Sequence, residues 1–288
     1  MKDSIKIFLL TMFAMIAFAG NSLLCRWALK DTMIDAVSFT TVRMISGALM
    51  LWVIFRLRNI IKTVHITTAG NWPSALALFT YATAFSCAYS NLSTGTGALL
   101  LFAAVQITMM VYGFCKGERL YFQQILGLFI AIAGVVWLLV PNISTPNPSD
   151  SLLMLTAGIA WAIYSLRGKK EKDAIAVTTG NFMFATIFSI GLSLILISTI
   201  KINPIGIMLA TISGAITSGI GYVIWYAALQ KLNITSAAVV QLTVPIIAAI
   251  GGGVFLNDVI SLRLIEASVA TLSGIGLVLI SKTELAKE

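Results

Sequence analysis

Apolar stretches of about 20 residues follow one another along the whole chain, and this recurrence limits the fold more than any other feature of the sequence. Each stretch is long enough to cross the hydrocarbon of a bilayer as an α-helix. Only 10% of the 288 residues are charged and 58% are hydrophobic, whereas soluble domains carry about 25% charged residues. The sequence therefore predicts an all-α integral membrane protein.

The apolar stretches divide into ten predicted transmembrane helices. We place them at residues 7–28, 35–55, 73–91, 94–114, 122–140, 151–167, 178–199, 205–228, 236–256 and 263–281. Two joins are tight, at residues 91–93 and 231–234. The run from Trp72 to Phe114 is too long for one crossing, so a turn is required inside it.

The lysines and arginines cluster on one predicted side of the membrane. Basic residues are enriched in cytoplasmic loops, so this bias predicts a multi-pass protein of the inner (cytoplasmic) membrane with both termini in the cytoplasm. The net charge of +8 is explained by these loops, which form no basic face for nucleic acid. The opposite side holds only Arg26, Lys30, Lys201 and Arg263.

The second half of the sequence repeats the first. Residues 81–140 align without a gap on residues 221–280, with Leu92 on Leu232 and Glu118 on Asp258. A five-helix unit has an odd number of spans, so its second copy must insert upside down. We predict two inverted five-helix repeats, at residues 1–141 and 150–288, joined by an external linker at 142–149. Inverted repeats are a common scaffold of secondary transporters, with the site near the midplane.

Four local patterns carry a resemblance to a known family. They are Phe18-Ala19-Gly20-Asn21, Ser38-Phe39-Thr40-Thr41-Val42-Arg43, Trp161-Ala162-Ile163-Tyr164, and Pro245 followed by Gly251 and Asp258. With the duplication, they make the chain similar to the drug/metabolite transporter superfamily, of the ten-helix type with two EamA domains. In the first pattern, Phe18 stands where the family usually has Trp.

The resemblance implies export or exchange of amino acids, related metabolites or drugs, driven by gradients and without ATP. We expect a small-molecule substrate, the lipid bilayer as surroundings, and no cofactor or metal. A small metabolite such as an amino acid is the leading substrate, and a cationic drug-like solute is the alternative. An intramembrane lipid-modifying enzyme would need a nucleophile, base or metal constellation, and the sequence offers none.

Arg43 is the clearest candidate for a binding residue. It lies about eight residues into the second predicted span, where a charge costs at least about 2.5 kcal/mol. Asn21 lies at a similar depth, about 15–18 Å from the join of the first two spans. Tyr164 and Asn181 flank the corresponding join of the second half. We predict that these four residues bound a central cavity, in which Arg43 receives a substrate carboxylate, is neutralised by the protein or holds backbone carbonyls.

Four further residues are weaker candidates. Trp161 lies near mid-membrane and forms either a cavity wall or core packing, and Gln106 is either a cavity or an interhelical residue. Pro245 and Glu266 are candidates for gating or coupling, although Glu266 is also placed to pair with Arg263. With no acid near the midplane, the sequence favours exchange or facilitated transport over tight proton coupling.

Two pairs of small residues allow close helix approach. They are Gly127 with Ala131 in the fifth span and Ala270 with Gly274 in the tenth. These pairs indicate a scaffold contact, and would also suit the face of a homodimer.

Overall fold

The computed structural model describes residues 2–62, 69–115, 122–140, 145–168, 171, 173–232 and 240–285, and all regular structure within these ranges is helical. Ten helices follow one another along this part of the chain. Their bounds are α1 Lys2–Asp31, α2 Ala36–Lys62, α3 Trp72–Tyr89, α4 Thr94–Cys115, α5 Phe122–Leu139, α6 Pro148–Gly168, α7 Ala174–Ile195, α8 Pro204–Leu229, α9 Thr243–Leu256 and α10 Leu262–Leu285.

The all-α fold and the number of helices are confirmed. The turn predicted at residues 91–93 is present, because α3 ends at Tyr89 and α4 begins at Thr94. Helices α1 and α2 are longer than predicted, since a helix continues past the edge of the apolar stretch as long as its backbone hydrogen bonds do. Part of the second tight join, and Glu118 of the aligned acids, lie outside the described residues.

Within the described ranges, seven helices are long and apolar enough to cross a membrane: α1, α2, α4, α5, α6, α7 and α8. Helix α9 is apolar but has only 14 residues. Pro245 lies in its first turn, and the helical structure is interrupted at Leu242 just before it. Proline lacks an N–H and clashes with the carbonyl of the preceding turn, which explains the break.

Helix α2 runs antiparallel to α7. At the end of α2, Arg58 Nη1 and Nη2 donate to Asp173 Oδ1 and Oδ2, both at 2.7 Å, just before α7 begins. At the start of α2, Asp35 Oδ2 accepts from the backbone N–H of Lys201, beyond the end of α7, at 2.7 Å. The two helices therefore meet at both ends in opposite directions.

Helices α3 and α6 form a second antiparallel pair. Asn91 Nδ2, after α3, donates to Asp150 Oδ2 in the first turn of α6 at 3.0 Å. Arg167 Nε, in the last turn of α6, donates to Ser74 Oγ in the first turn of α3 at 2.8 Å. Helix α4 likewise meets α9 in the opposite direction, because Asp258, after α9, accepts from the Thr94 N–H at the start of α4 at 2.8 Å.

The predicted small-residue pairs pack against each other within one chain, between antiparallel helices α5 and α10. A Cβ on Gly274 would lie 2.5 Å from the Gly127 carbonyl oxygen and from the Ala131 backbone nitrogen. A Cβ on Gly134 would meet the Thr271 side chain at the same distance. These pairs are scaffold contacts, and their small faces are already covered by the partner helix.

Large apolar side chains cover the outside of the helical bundle. Phe122 is 77% exposed, Phe129 72% and Ile195 78%. Surfaces of this kind are stable when they face lipid. The polar side chains collect in the interior and at the two ends instead.

Candidate functional site

A small cavity lies among α1, α3, α4, α6 and α8. Its volume is about 10 Å³, which is room for roughly one water molecule. Six of the nine lining side chains are aromatic, so the walls are mostly apolar. The lining consists of Phe18, Asn21, Ser22, Tyr81, Phe85, Leu101, Phe102, Trp161 and Tyr222.

Trp161 stands at the centre of the aromatic walls. Its ring centroid lies 4.9 Å from that of Tyr81, 5.1 Å from Tyr222 and 6.0 Å from Phe18. Tilted and edge-to-face contacts of this kind add about 0.5–1.5 kcal/mol each beyond burial. Trp161 is therefore both a wall of the cavity and a packing residue, and the two interpretations of the sequence do not exclude each other.

Arg43 is completely buried, at 0% exposure, directly behind this cavity. Its Nε donates to Ser218 Oγ and its Nη2 to the Tyr81 hydroxyl, both at 3.2 Å. The guanidinium carbon lies 5.4 Å from the Tyr81 ring centre and 5.2 Å from that of Phe85. These two rings separate Arg43 from the cavity, so it acts on the cavity through Tyr81.

No carboxylate in the described part of the chain neutralises the charge of Arg43. Its Nη1 is buried and makes no hydrogen bond, and among the described carboxylates none lies within ion-pair distance of it. A buried cation without a partner carries a desolvation penalty of several kcal/mol. The carbonyl-holding alternative is not what the structure has, because the guanidinium bonds two hydroxyls instead.

Asn21 joins the same network from α1. Its Nδ2 donates to the Tyr81 hydroxyl at 3.4 Å, and its Oδ1 accepts from Ser213 Oγ at 2.6 Å and Thr217 Oγ1 at 3.3 Å. The Tyr81 hydroxyl therefore accepts from both Arg43 and Asn21. The structure brings this predicted pair together through Tyr81.

Tyr164 and Asn181 lie at a different level and do not line the cavity. The Tyr164 ring contacts Trp161 at 5.8 Å, and its hydroxyl faces Thr178, Asn181 and Tyr226. Asn181 Oδ1 accepts from the Asn71 N–H, just before α3, at 3.0 Å. The Asn181 amide thus turns away from the cavity and holds the start of α3.

Gln106 and Glu266 are also outside the lining. Gln106 is buried in α4 about one turn beyond Phe102. Glu266 is exposed, and its Oε2 accepts from Trp137 Nε1 at 3.0 Å. The pairing of Glu266 with Arg263 is wrong: Arg263 donates instead to the Trp137 and Val140 carbonyls, which the C-terminus of α5 leaves unpaired.

The sequence did not single out Tyr81 and Tyr222 as cavity residues, nor the hydroxyls of Ser213, Thr217 and Ser218 that hold Asn21 and Arg43. A signal for the hydroxyls was present, since Ser213-Gly214-Ala215-Ile216-Thr217-Ser218-Gly219 is an unusually polar run inside an apolar helix. The tyrosines had no such signal, because interhelical hydrogen bonding accounts for them equally well.

Charged contacts close one end of the molecule, which we call the Asp258 end. Asp258 Oδ2 accepts from the Thr94 N–H and Oγ1, and Oδ1 lies 3.4 Å from Lys30 Nζ. Arg26 Nη1 donates to the Tyr89 and Ser90 carbonyls at 3.0 and 2.8 Å. These contacts tie α1, α3 and α4 to the loop after α9.

Removing Asp258 should open this end of the molecule. In an Asp258→Ala variant we expect thiol reagents to modify buried Cys25, which directly precedes Arg26, at least about tenfold faster, because charge-assisted hydrogen bonds contribute about 1.5–3 kcal/mol each. The measurement is labelling kinetics in a background where Cys87 and Cys115 are serine. Asp31→Ala, which removes an exposed acid at the same end, is the control, and equal rates in both variants would contradict the closure.

The opposite end, the Arg58 end, is closed by the Arg58–Asp173 fork and by Arg167. Arg58 is the main reason that the pKa of the Asp173 carboxyl lies below its ordinary value of 3.8. Asp173 also caps α7 by accepting from the Ala176 N–H at 3.1 Å. A lowered carboxyl pKa stabilises the folded state above the ordinary value, and this contribution is lost as the pH falls through the lowered pKa.

An Asp173→Asn variant should therefore lose stability only where the carboxylate is ionised. Asparagine is as good a helix cap as aspartate, so the substitution removes the charge and keeps the cap. We expect Tm to fall by about 2–4 °C at neutral pH, and the difference from the wild type to shrink as the pH falls below the ordinary carboxyl pKa of 3.8 and through the lowered pKa of Asp173. Thermal unfolding across this range measures it, and a difference that is independent of pH refutes the ionic contribution.

Comparison with known proteins assigns the chain to a family. The model of the EamA-like transporter family matches residues 149–280. An uncharacterized protein of Pseudomonas aeruginosa is 49% identical over 271 residues, covering 94% of this chain and 93% of the relative. A protein of Salmonella typhimurium named a probable amino-acid metabolite efflux pump is 24% identical over 227 residues, covering 74% and 76%.

A solved crystal structure has the same fold. It superposes with a TM-score of 0.66 at 14% sequence identity, and the match covers 96% of this chain and 97% of the other. The resemblance found in the sequence is confirmed. The chain belongs to the EamA-like transporter family of the drug/metabolite transporter superfamily, and is a multi-pass membrane transporter and not an enzyme.

Proposed function

We propose that this transporter moves a small zwitterionic or anionic metabolite of the amino-acid class across the inner membrane, by export or exchange. The observation that carries the proposal is the buried Arg43, whose Nη1 makes no hydrogen bond and whose charge no described carboxylate compensates. A substrate carboxylate is the natural partner of a guanidinium, because the two groups form paired charge-assisted hydrogen bonds.

Binding requires the cavity to expand. A volume of about 10 Å³ is far below the 300 Å³ or more of typical ligand sites. The conformation is occluded, with charged contacts at the Asp258 end and at the Arg58 end. Tyr81 stands between Arg43 and the cavity, so a substrate carboxylate displaces or shares the Tyr81 hydroxyl, and the apolar part of the substrate contacts Trp161 and Tyr222.

The proposed architecture is ten transmembrane helices in two inverted repeats, residues 1–141 and 150–288, joined by the external linker 142–149. The contacts between α5 and α10 support it. Gly134 packs on the carbonyl of Ala267, and Gly274 packs on that of Gly127. The ungapped alignment pairs Gly134 with Gly274 and Gly127 with Ala267, so equivalent residues make equivalent contacts.

The helix pairs support the inversion as well. Helices α2 and α7, α4 and α9, and α5 and α10 occupy equivalent places in the two halves, and each pair is antiparallel. The contact of α3 with α6 has its counterpart in the contact of α1 with α8. The family model, which covers residues 149–280, coincides with the second proposed repeat.

The basic loops orient the transporter. We propose that both termini and the Arg58 end face the cytoplasm and that the Asp258 end faces outward, as the excess of cytoplasmic basic residues requires. Alternating access then consists of breaking the charged contacts of one end while those of the other end hold.

Two observations favour an amino-acid substrate over a cationic drug. The name of the Salmonella typhimurium relative indicates amino-acid metabolites for that protein. No acid lines the described cavity, and a cation would have to bind beside the uncompensated Arg43. The aromatic walls alone favour the cationic alternative, since Trp and Tyr faces attract cations.

Counterflow into proteoliposomes tests the proposal. Vesicles loaded with an unlabelled amino acid should accumulate the labelled one only when they contain the protein. A thermal-shift panel of amino acids, nucleosides and quaternary amines identifies the class, and stabilisation by quaternary amines alone would overturn it. Uptake that does not change when an external pH gradient is imposed supports exchange over proton coupling, as the absence of acids from the described lining suggests.

A further inference from the structure

The middle of α8 is not an α-helix. Residues Ser213–Ile220 form a π-helix, in which backbone hydrogen bonds span five residues: the Gly221 N–H donates to the Ile216 carbonyl. Most π-helical segments are single turns, and they are frequent at functional sites. Here the segment lies between α-helical parts at Pro204–Ile212 and Gly221–Leu229.

The wider π turn directs three hydroxyls to the polar network around Arg43. Ser213 and Thr217 donate to Asn21 Oδ1, and Ser218 Oγ accepts from Arg43 Nε. Ser213 and Ser218 are completely buried, at 0% exposure. The side-chain hydrogen bonds of Asn21 and Arg43 in the described structure therefore go to Tyr81 and to the π-helix.

The π-helix also presses its main chain against α2 at the level of Arg43. A Cβ on Gly214 would overlap Ser46 Oγ and the carbonyl oxygen of Arg43 itself. Gly47 of α2 faces the Gly214 carbonyl, where an added Cβ would lie at 3.1 Å. The position of the Arg43 backbone and the position of its side chain are thus both set by the same eight residues.

The α-helical part that follows carries two residues of the aromatic cluster. Tyr222 lines the cavity, and the Trp225 ring lies 5.7 Å from Phe18. A shift of register by one residue turns a helix by about 100°. If the π-helix gives up its extra residue, Tyr222 leaves the cavity wall while the part of α8 before Ser213 stays in place.

We propose that Ser218 is a positioning residue for Arg43 and that the π-helix is the register switch that opens the cavity. This rests on the proposed function: a substrate carboxylate takes the guanidinium away from Ser218, the π-helix relaxes, and Tyr222 moves out of the wall. Arg43 thereby binds the substrate, and the movement of α8 enlarges the closed cavity.

The switch belongs to α8 alone. Its counterpart α3 is α-helical throughout its 18 residues, whereas α8 has 26 residues and contains the eight-residue π-helix. The ungapped alignment of the halves begins at Tyr81 and Gly221, directly after the π-helix. The two halves therefore differ in helix type at the segment of α8 that contacts Arg43.

A Ser218→Ala variant tests the proposal in two ways. In counterflow, we expect KM to fall about tenfold with little change in maximal rate, because the hydrogen bond to a charged group that the substrate has to break is already absent. In hydrogen–deuterium exchange of the substrate-free protein, we expect the peptides over residues 213–225 to exchange about tenfold faster, because the hydrogen bond from Arg43 that holds the segment is gone.

Two control variants accompany this test. Ser218→Thr keeps the hydroxyl and should restore the wild-type KM and exchange rate. Thr211→Val, at an exposed hydroxyl on the same helix that donates to the Ile207 carbonyl one turn before it, should change neither KM nor the exchange rate.

The exchange measurement separates this proposal from the function it rests on. If no zwitterion is transported, the proposed function fails, yet faster exchange in substrate-free Ser218→Ala still establishes the anchor. If transport is found, substrate should speed exchange over residues 213–225 in the wild type and add little in Ser218→Ala. Unchanged exchange and unchanged KM in Ser218→Ala would overturn the switch. It would also be overturned if Ser218→Thr changed KM and the exchange rate as much as Ser218→Ala does.

Discussion

An Arg43→Gln variant should lose at least about 99% of counterflow, because two hydrogen bonds to a charged group, each worth about 1.5–3 kcal/mol, disappear from the substrate complex. The substrate-free protein should remain as stable as the wild type or become more stable. Arg43 is fully buried, one of its nitrogens bonds nothing, and no described acid pairs with it. Removing such a charge relieves its desolvation penalty.

Two further variants make this result specific. Arg43→Lys keeps the charge but loses the planar fork, and should retain about a tenth of the counterflow. Arg56→Gln removes an exposed arginine of the same helix, which rests on the Trp52 ring, and should transport normally. Counterflow in proteoliposomes and Tm in detergent are the two measurements. If Arg43→Gln loses transport and also unfolds at a much lower temperature, Arg43 is a structural residue and not the carboxylate site.

A Gly214→Ala variant should be the most destabilising single-methyl addition near the site. The new Cβ overlaps Ser46 Oγ and the Arg43 carbonyl, and the carbonyl belongs to the backbone of a packed helix that cannot move aside. Overpacking of this kind costs about 3 kcal/mol or more, which corresponds to a fall in Tm of about 6–12 °C. Thermal unfolding and the yield of monodisperse protein measure it.

Gly191→Ala is the matched control for this substitution. Gly191 lies inside α7, and nothing is found within 4 Å of the position of an added Cβ. Alanine is favoured over glycine in a helix by about 0.5–1 kcal/mol, so the control should be neutral or stabilising. Similar losses in both variants would mean that helix glycines are needed for flexibility, and the close contact at Gly214 would not explain the effect.

The sequence predicted the helices well because one physical requirement fixes them. A crossing needs about 20 apolar residues, and a longer run must contain a turn. This located the turn before Thr94 correctly. It did not predict the ends of α1 and α2, because hydropathy reports the membrane edge and helix hydrogen bonding continues beyond it.

The candidate site was predicted only in part, because distance along a helix gives depth but not direction. Asn21 and Arg43 have similar depth, and both donate to the Tyr81 hydroxyl. Asn181 was placed by the same arithmetic, but its amide points to Asn71. The rotation of a helix about its axis is set by its neighbours, and a single sequence does not specify it.

The π-helix was not predictable for a related reason. Its hydroxyls and glycines are visible in the sequence, yet an apolar segment with these residues fits an ordinary α-helix too. The widened turn exists because Gly214 meets the main chain of α2 and Ser218 meets Arg43. Both are contacts between segments more than 150 residues apart, and local propensity carries no information about them.

The direct backbone contact of α5 with α10 has a mechanical consequence. At Gly134 and Gly274 each helix rests on the main chain of the other, so neither can slide or roll without a steric collision. Together, α5 and α10 form a rigid helix pair at the periphery, which contacts the rest of the bundle chiefly through α4. In any rearrangement of the bundle, α5 and α10 would therefore move together as one rigid unit.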